Sequence, residues 1–242
     1  MNTERPERTG GERKLYGRRR SHKLRPGLAR RIQELGPDLA VLPPRQAPEG
    51  AAGAPPAIDP AELFPNARAL WLEIGFGGGE HLARQAAENP DVGLIGCEHY
   101  VDGVAKLLAT IEREGLSNLR VHPHDARDVM DALPAASVAR AFLLYPDPWP
   151  KKRHHKRRFV SAENFDAFAR ILAPGAELRV ASDIDDYCRQ ALAVALDHPA
   201  FEWTAERPAD WRAPWPGWPG TRYEAKALRE GRRPTYLIFR RR

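Results

Sequence analysis

Residues 145–158 read Tyr-Pro-Asp-Pro-Trp-Pro-Lys-Lys-Arg-His-His-Lys-Arg-Arg, with proline at 146, 148 and 150. Each proline fixes its own φ and pushes the residue before it out of the α region. Asp147 and Trp149 lie between prolines, so both are expected to be extended, in a stiff arm. The arm follows four apolar residues, Ala141 to Leu144, whose length and composition predict a short buried strand. After it, Lys151 to Arg158 place six Lys/Arg and two His in eight positions. A rigid carboxylate beside an aromatic ring, followed by a dense cationic run, suits a base-sized group attached to phosphates. Taken separately, the proline stretch also reads as a structural corner and the basic run as a solvated face. Their fusion to the end of an apolar strand, where open α/β sheets bind ligands, points to function.

A second cluster is Glu73-Ile74-Gly75-Phe76-Gly77-Gly78-Gly79, at the first predicted strand-to-helix turn. Glycines there let the backbone approach a ligand and expose amide donors at a helix N-terminus. A dinucleotide fingerprint starting at Gly75 would need glycine at position 80, which is Glu80. Glu73 and Glu80 flank the loop, and carboxylates repel a pyrophosphate. They favour a cationic ligand such as S-adenosylmethionine, with its ammonium and sulfonium groups. Glu98 ends the second predicted strand, where a carboxylate can accept both ribose hydroxyls. Asp125 follows the third, placed to accept an adenine amine. Glu98 capping the next helix and Asp125 opening a turn are the structural alternatives. Three acids ending successive strands at one sheet edge favour the cofactor.

The elements that must position these residues alternate. Strands are predicted at Ala69–Ile74, Val92–Glu98, Leu119–His122, Arg140–Tyr145 and Glu177–Ser182, with two more at Ala200–Thr204 and Thr235–Arg240. Between them, helices are predicted from about Glu80 to Glu88, through Val101, Val104, Leu107, Leu108 and Ile111 to a stop at Gly115, and from Ser161 to a stop at Pro174-Gly175. Another follows the fifth strand and runs to about Asp197. Near-continuous apolar strands alternating with helices imply a parallel sheet covered on both faces, with a possible antiparallel hairpin at the end. Residues 1–31 read as polar, aperiodic and disordered in isolation, and residues 43–57 as a Pro/Ala/Gly linker. The chain thus divides into an extension, 1–57, and a folded domain, 58–242.

Composition limits the function classes. No apolar run reaches eighteen residues, and the basic N-terminus lacks an apolar core, so neither a membrane span nor a secretory signal is expected. Cys97 and Cys188 are isolated, which supports neither a disulfide framework nor a zinc site. No metal is expected, and a cytoplasmic location is. The formal charge is +6, but residues 1–31 carry +8 and residues 151–158 another +6, which leaves −8 for the rest. Positive charge confined to two short segments is the footprint expected on a polyanion, and nucleic acid is favoured over a membrane surface.

Together these motifs resemble the bacterial tRNA (guanine-N7)-methyltransferases. The resemblance rests on ExGxGxG at Glu73–Gly79, Cys97-Glu98, Asp125-Ala126, the stretch Tyr145–Arg158, Ser182-Asp183 and Thr221-Arg222-Tyr223-Glu224. It runs from about residue 60 to the C-terminus; Tyr145 departs from the usual Phe or Leu. It implies a Rossmann-like class I methyltransferase fold: a seven-stranded, mostly parallel sheet with helices on both faces and the last strand antiparallel. It implies that Glu73, Glu98, Asp125 and Asp147 line an S-adenosylmethionine site, with Asp147 the active-site residue. It also implies that Lys151, Asp183, Thr221, Arg222, Tyr223 and Glu224 hold the substrate. Arg153, His154, His155, Lys156, Arg157 and Arg158 would lie along the RNA, a tRNA whose variable-loop guanine is the target.

Guanine N7 carries an unprotonated lone pair on the base's major-groove edge, so its methylation needs no general base. The demand is alignment, which can contribute about 7–11 kcal/mol. Asp147 or Asp183 would either orient guanine through its N1–H and amine or stabilise developing positive charge. Trp149 either stacks on a splayed base or packs against its own arm. The segment from Asp210 to Gly220, with three tryptophans, is either a loop over the substrate or a packed corner. The rival readings are a ribosomal RNA methyltransferase and a non-catalytic RNA-binding protein on the same fold. An NAD-linked oxidoreductase is opposed by Glu73 and the missing glycine.

Overall fold

The computed structural model describes residues 15–17, 19, 25–42 and 56–242. In chain order the elements are α1 (Pro26–Leu39), α2 (Pro60–Leu63), β1 (Ala69–Ile74), α3 (Glu80–Glu88), β2 (Val92–Cys97), α4 (Val101–Glu114) and β3 (Leu119–His122). They continue with α5 (Ala126–Ala132), β4 (Val138–Leu144), a 3-10 turn (Lys152–Arg157), α6 (Ala162–Ile171), β5 (Leu172–Ser182) and α7 (Asp185–Asp197). The last are β6 (Phe201–Trp203), α8 (Ala209–Arg212), α9 (Arg222–Arg229) and β7 (Thr235–Arg241).

The strands form one seven-stranded sheet in the order β3-β2-β1-β4-β5-β7-β6. The first five are parallel, and β7 runs antiparallel to both β5 and β6. This is the expected Rossmann-like class I arrangement. The final pair is not a tight hairpin, since α8 and α9 lie within its connection.

Side chains alternate across a strand, and here that alternation builds two cores. Leu70, Leu72 and Ile74 of β1 with Ala141 and Leu143 of β4 face the layer of α5, α6 and α7. Trp71, with Phe142 and Leu144, faces α3 and α4. Burial on both faces explains why these strands read as continuous apolar runs.

Three expectations about elements are corrected. Residues 26–39, within and just beyond the stretch read as aperiodic, form α1. Its Ile32, Leu35 and Leu39 pack on the α3–α4 core, and Arg31 pairs with Glu112 at 2.8 Å. Beyond it, Ala40 bridges to Val121 at the edge of β3, and Val41 and Leu42 are buried in the opposite core. Residues 25–42 therefore belong to the folded unit; most of residues 1–24 and residues 43–55 lie outside the described residues. Second, α6 ends at Ile171, and Pro174-Gly175 falls inside β5, where the pairing with β4 shifts register between Val138 and Arg140. Third, the arm is not extended throughout: Trp149 has φ +42, in the left-handed region, and the chain after it winds into the 3-10 turn. Prolines at 146, 148 and 150 remove three backbone donors, so the arm cannot join a ladder and turns away from the sheet.

If the edge segment is part of the core, Leu42→Ala will lower the unfolding free energy by about 2–5 kcal/mol. Urea unfolding measures it; an unchanged midpoint would make residues 40–42 a loose attachment.

Candidate active site

The C-terminal ends of β1, β2, β3 and β4 open into one cavity of about 330 Å³. Glu98, Asp125 and Asp147 line it, with Gly75, Gly77, Tyr145, Trp149 and Tyr223. Three of the four carboxylates expected at a cofactor thus converge, one from the end of each of three strands.

Glu98 organises the floor. One carboxylate oxygen accepts the Gly77 amide at 2.8 Å, and the other accepts the Tyr100 amide at the start of α4, also at 2.8 Å. Helix α4 presses on the same loop: a Cβ at Gly103 would stand 2.1 Å from the Gly77 carbonyl oxygen, so only glycine fits. Burial pushes the Glu98 carboxyl above its ordinary range, opposed by the Tyr100 and Gly77 amides and by the charge and amide of His99. A carboxylate has about four lone-pair sites, so the amides do not exhaust its capacity to accept from a ligand.

Asp125 caps α5, accepting the Arg127 amide at 3.0 Å, and pairs with the Arg127 guanidinium at 2.5 Å. Its turn-forming role is therefore real, and it still faces the cavity. Asp147 is exposed toward the cavity mouth; the walls around it raise its carboxyl above the ordinary range, and His99 opposes the shift. Tyr145 and Trp149, on either side of it, have φ of +48 and +42. Non-glycine residues rarely adopt this region, and each costs about 1–3 kcal/mol unless its surroundings enforce it. Strain thus flanks the one carboxylate on the arm.

Other expected site residues lie elsewhere. Glu73 is buried beneath the glycine loop, its carboxylate 2.6 Å from His81 Nδ1, and is not among the cavity walls. Asp183 is paired with Arg232, and Lys151 and Thr221 also lie outside the cavity walls. Thr221 and Glu224 form a capping box for α9. Buried Glu224 also accepts from Trp218 Nε1 at 2.8 Å and from the Tyr236 hydroxyl, so its carboxylate is spent holding this corner together. Trp215 and Trp218 pack edge-on against Tyr236 in the same corner, which decides that segment as a packed corner. Arg222 and Tyr223 instead lean on the glycine loop: a Cβ at Gly77 would meet Tyr223 at 3.1 Å and Arg222 at 3.3 Å.

The basic run divides. Lys151, Lys152, Arg153 and Lys156 are exposed, His154 is half-buried, and His155 faces Asp186 at 3.4 Å. Arg157 holds its guanidinium 4.9 Å from the ring centres of both Tyr16 and Trp149. Arg158, expected along the RNA, is buried, and its donors are turned into the protein. Three contributors were not anticipated. Leu15 and Tyr16 line the cavity, and no local pattern marks them; His99 directly follows Glu98 and was legible from that position.

Residues 67–237 match the methyltransferase family model Methyltransf_4. Curated tRNA (guanine-N(7)-)-methyltransferases of Roseobacter denitrificans and Rhodospirillum rubrum are 54% and 49% identical to this chain. The alignments cover 96% and 98% of this chain, and 98% and 91% of those proteins. The chain belongs to this methyltransferase family. Among solved structures, TrmN from Thermus thermophilus superposes with a TM-score of 0.51 at 15% identity, over 75% of this chain and 47% of that one. The 16S rRNA methyltransferase KamB superposes at 0.50 and 20% identity, over 74% and 91%. At such identities these two bear on the fold alone, and they agree with the sheet described above.

Inside a helix, alanine is normally favoured over glycine by about 1 kcal/mol. Gly103→Ala will show the opposite sign, a loss of about 1–3 kcal/mol in urea unfolding, because its Cβ displaces the loop. A stabilised variant would mean that α4 does not brace the glycine loop.

Proposed function

We propose that this protein transfers the methyl group of S-adenosylmethionine to N7 of a variable-loop guanine in tRNA. The observation that carries the reading is the convergence of Glu98, Asp125 and Asp147 on one cavity beside the glycine loop and the basic run. The fit to the cofactor can be judged from the cavity itself. Its carboxylates suit a cationic ligand carrying hydroxyls, its size lies within the range of ordinary ligand sites, and Gly75 faces open space. When bound, S-adenosylmethionine supplies an electrophilic methyl on a positively charged sulfur.

This chain's residues supply position and charge. Glu98 offers its remaining acceptor capacity to the ribose hydroxyls, and Asp125 faces the adenine end. Glu73 supports the loop from below rather than touching the ligand. Asp147, on the strained arm at the cavity mouth, accepts hydrogen bonds from the guanine edge and holds N7 toward the methyl. No side chain has to remove a proton, because N7 carries none. Lys151, Arg153 and Lys156 meet tRNA phosphates, contacts that anchor the RNA without reading its sequence. Tyr223 and Arg222 lie where they would meet the guanosine across the glycine loop.

A methyl-transfer assay with unmodified tRNA, followed by nucleoside mass spectrometry, will yield 7-methylguanosine in the variable loop. Another methylated atom, or transfer to ribosomal RNA alone, would reject the assignment. Asp147→Ala will lower kcat by about two orders of magnitude or more, the scale of lost alignment, while tRNA affinity holds. Arg153→Gln combined with Lys156→Gln will weaken tRNA binding and reduce its salt slope by roughly two.

The pH profile provides a separate check. The Glu98 and Asp147 carboxyls are both raised, by burial first, and both act as anions. Activity therefore falls as pH drops through a limb above the ordinary carboxylate range. A cationic ligand favours their charged forms, so the limb in kcat will lie at lower pH than the limb in kcat/KM for S-adenosylmethionine. Coincident limbs would count against direct contact between these carboxylates and the cofactor.

A further inference from the structure

Arg158 differs from every other cation in its run. Its side chain is 1% exposed, and its guanidinium bridges two parts of the molecule through three side-chain donors. Nε donates to the Pro148 carbonyl at 2.8 Å, Nη1 to Gln190 Oε1 at 2.8 Å, and Nη2 to Asp186 Oδ2 at 2.6 Å. The ring of Tyr187 lies 5.4 Å beneath it. Gln190 turns its own amide to the Val160 carbonyl at 2.8 Å, and the Val160 amide points to the Tyr187 hydroxyl at 3.4 Å. The acceptors on the far side all belong to α7, while Pro148 is the residue after Asp147.

We infer that Arg158 is a positioning residue for methyl transfer: it clamps the arm to α7 through the Pro148 carbonyl and so fixes the aim of Asp147. The inference rests on the role proposed above for Asp147. Pinning the Pro148 carbonyl fixes the peptide plane shared by Pro148 and Trp149, the plane at which the chain enters its left-handed turn. Pro148 in turn restricts the backbone of Asp147. The arm has lost three amide donors to proline, and Tyr145 is the last of its residues to hydrogen-bond to the sheet, through Ala181 at 2.7 Å. An unclamped arm would therefore have few bonds to resist the strain at Tyr145 and Trp149. Arginine is required because its planar fork addresses three acceptors in fixed directions, whereas an ammonium is a compact point donor. The run thus has two functions. Its exposed members face the polyanion, and its last member faces inward and sets the geometry of the site.

The test compares full-length wild type with Arg158→Lys, Asp186→Asn and the double variant. Arg158→Lys keeps the charge, and is expected to lower kcat by roughly ten- to a hundred-fold with the tRNA Kd and its salt slope unchanged. Amide hydrogen exchange at Tyr145, Asp147 and Trp149, the arm residues that keep an N–H, will accelerate, most visibly at Tyr145, whose amide is bonded to Ala181, while exchange across β1 and β2 will not. Asp186→Asn will act in the same direction but more weakly, and the double variant will lose less than the product of the two single losses, because both changes release one clamp. Should Arg158→Lys fail to fold, Asp186→Asn and its exchange pattern decide the matter, since that side chain is largely exposed. Weakened tRNA binding with a flattened salt slope and retained kcat would make Arg158 a phosphate contact and overturn the inference. A uniform loss of stability, with arm exchange and kcat per folded molecule unaltered, would overturn it as well. Absence of methyl transfer by the wild type would reject the proposed activity instead, and the clamp would then stand or fall on the exchange at Tyr145, Asp147 and Trp149.

Discussion

Glu98 accepts one amide from the glycine loop and one from the start of α4, and the site depends on that pair of hydrogen bonds. Each amide belongs to a helix-entry segment with no ladder partner of its own, so a carboxylate is the natural acceptor. By satisfying both, Glu98 fixes the distance between the turn after β1 and the turn after β2. Gly103 then lets α4 close on the loop from the other side. The cavity is what remains between these fixed turns and the arm that leaves β4.

Electrostatics follow from this geometry. Carboxylates partly withdrawn from water resist ionisation, and burial raises the cost of charging Glu98 and Asp147 accordingly. A cationic ligand relieves that cost and a phosphate would add to it. The same edge carries the basic run a few residues downstream. Acidic cavity and basic rim therefore stand side by side, one suited to a sulfonium and the other to a polyanion.

Two long-range contacts complete the site, and neither is local in the chain. Arg222 and Tyr223, near the C-terminus, rest on the glycine loop of β1 because Glu224 anchors their helix to Tyr236 and Trp218. Tyr16, near the N-terminus, packs against Trp149 with their ring centres 6.2 Å apart, and Arg157 lies over both. Helix α1 is held to α4 by apolar packing and by the Arg31–Glu112 pair.

The sequence by itself determined the alternation of strands and helices, the glycine turn and the acids that end successive strands. These are local patterns with fixed periods, and a parallel sheet brings the ends of its strands to one edge whatever the loops do. Leu28, Ile32, Leu35 and Leu39 have helical spacing, but the basic, polar run that precedes and enters α1 masks it, and the segment reads as aperiodic. Only the tertiary structure decided which way each charge points. Arg157 and Arg158 are neighbours of one type, yet one lies over two rings and the other is buried against α7. Glu73 and Glu98 each end a strand, yet one is sealed against His81 and the other opens to the cavity. Burial and partner choice depend on residues far away in the chain, and no local period records them.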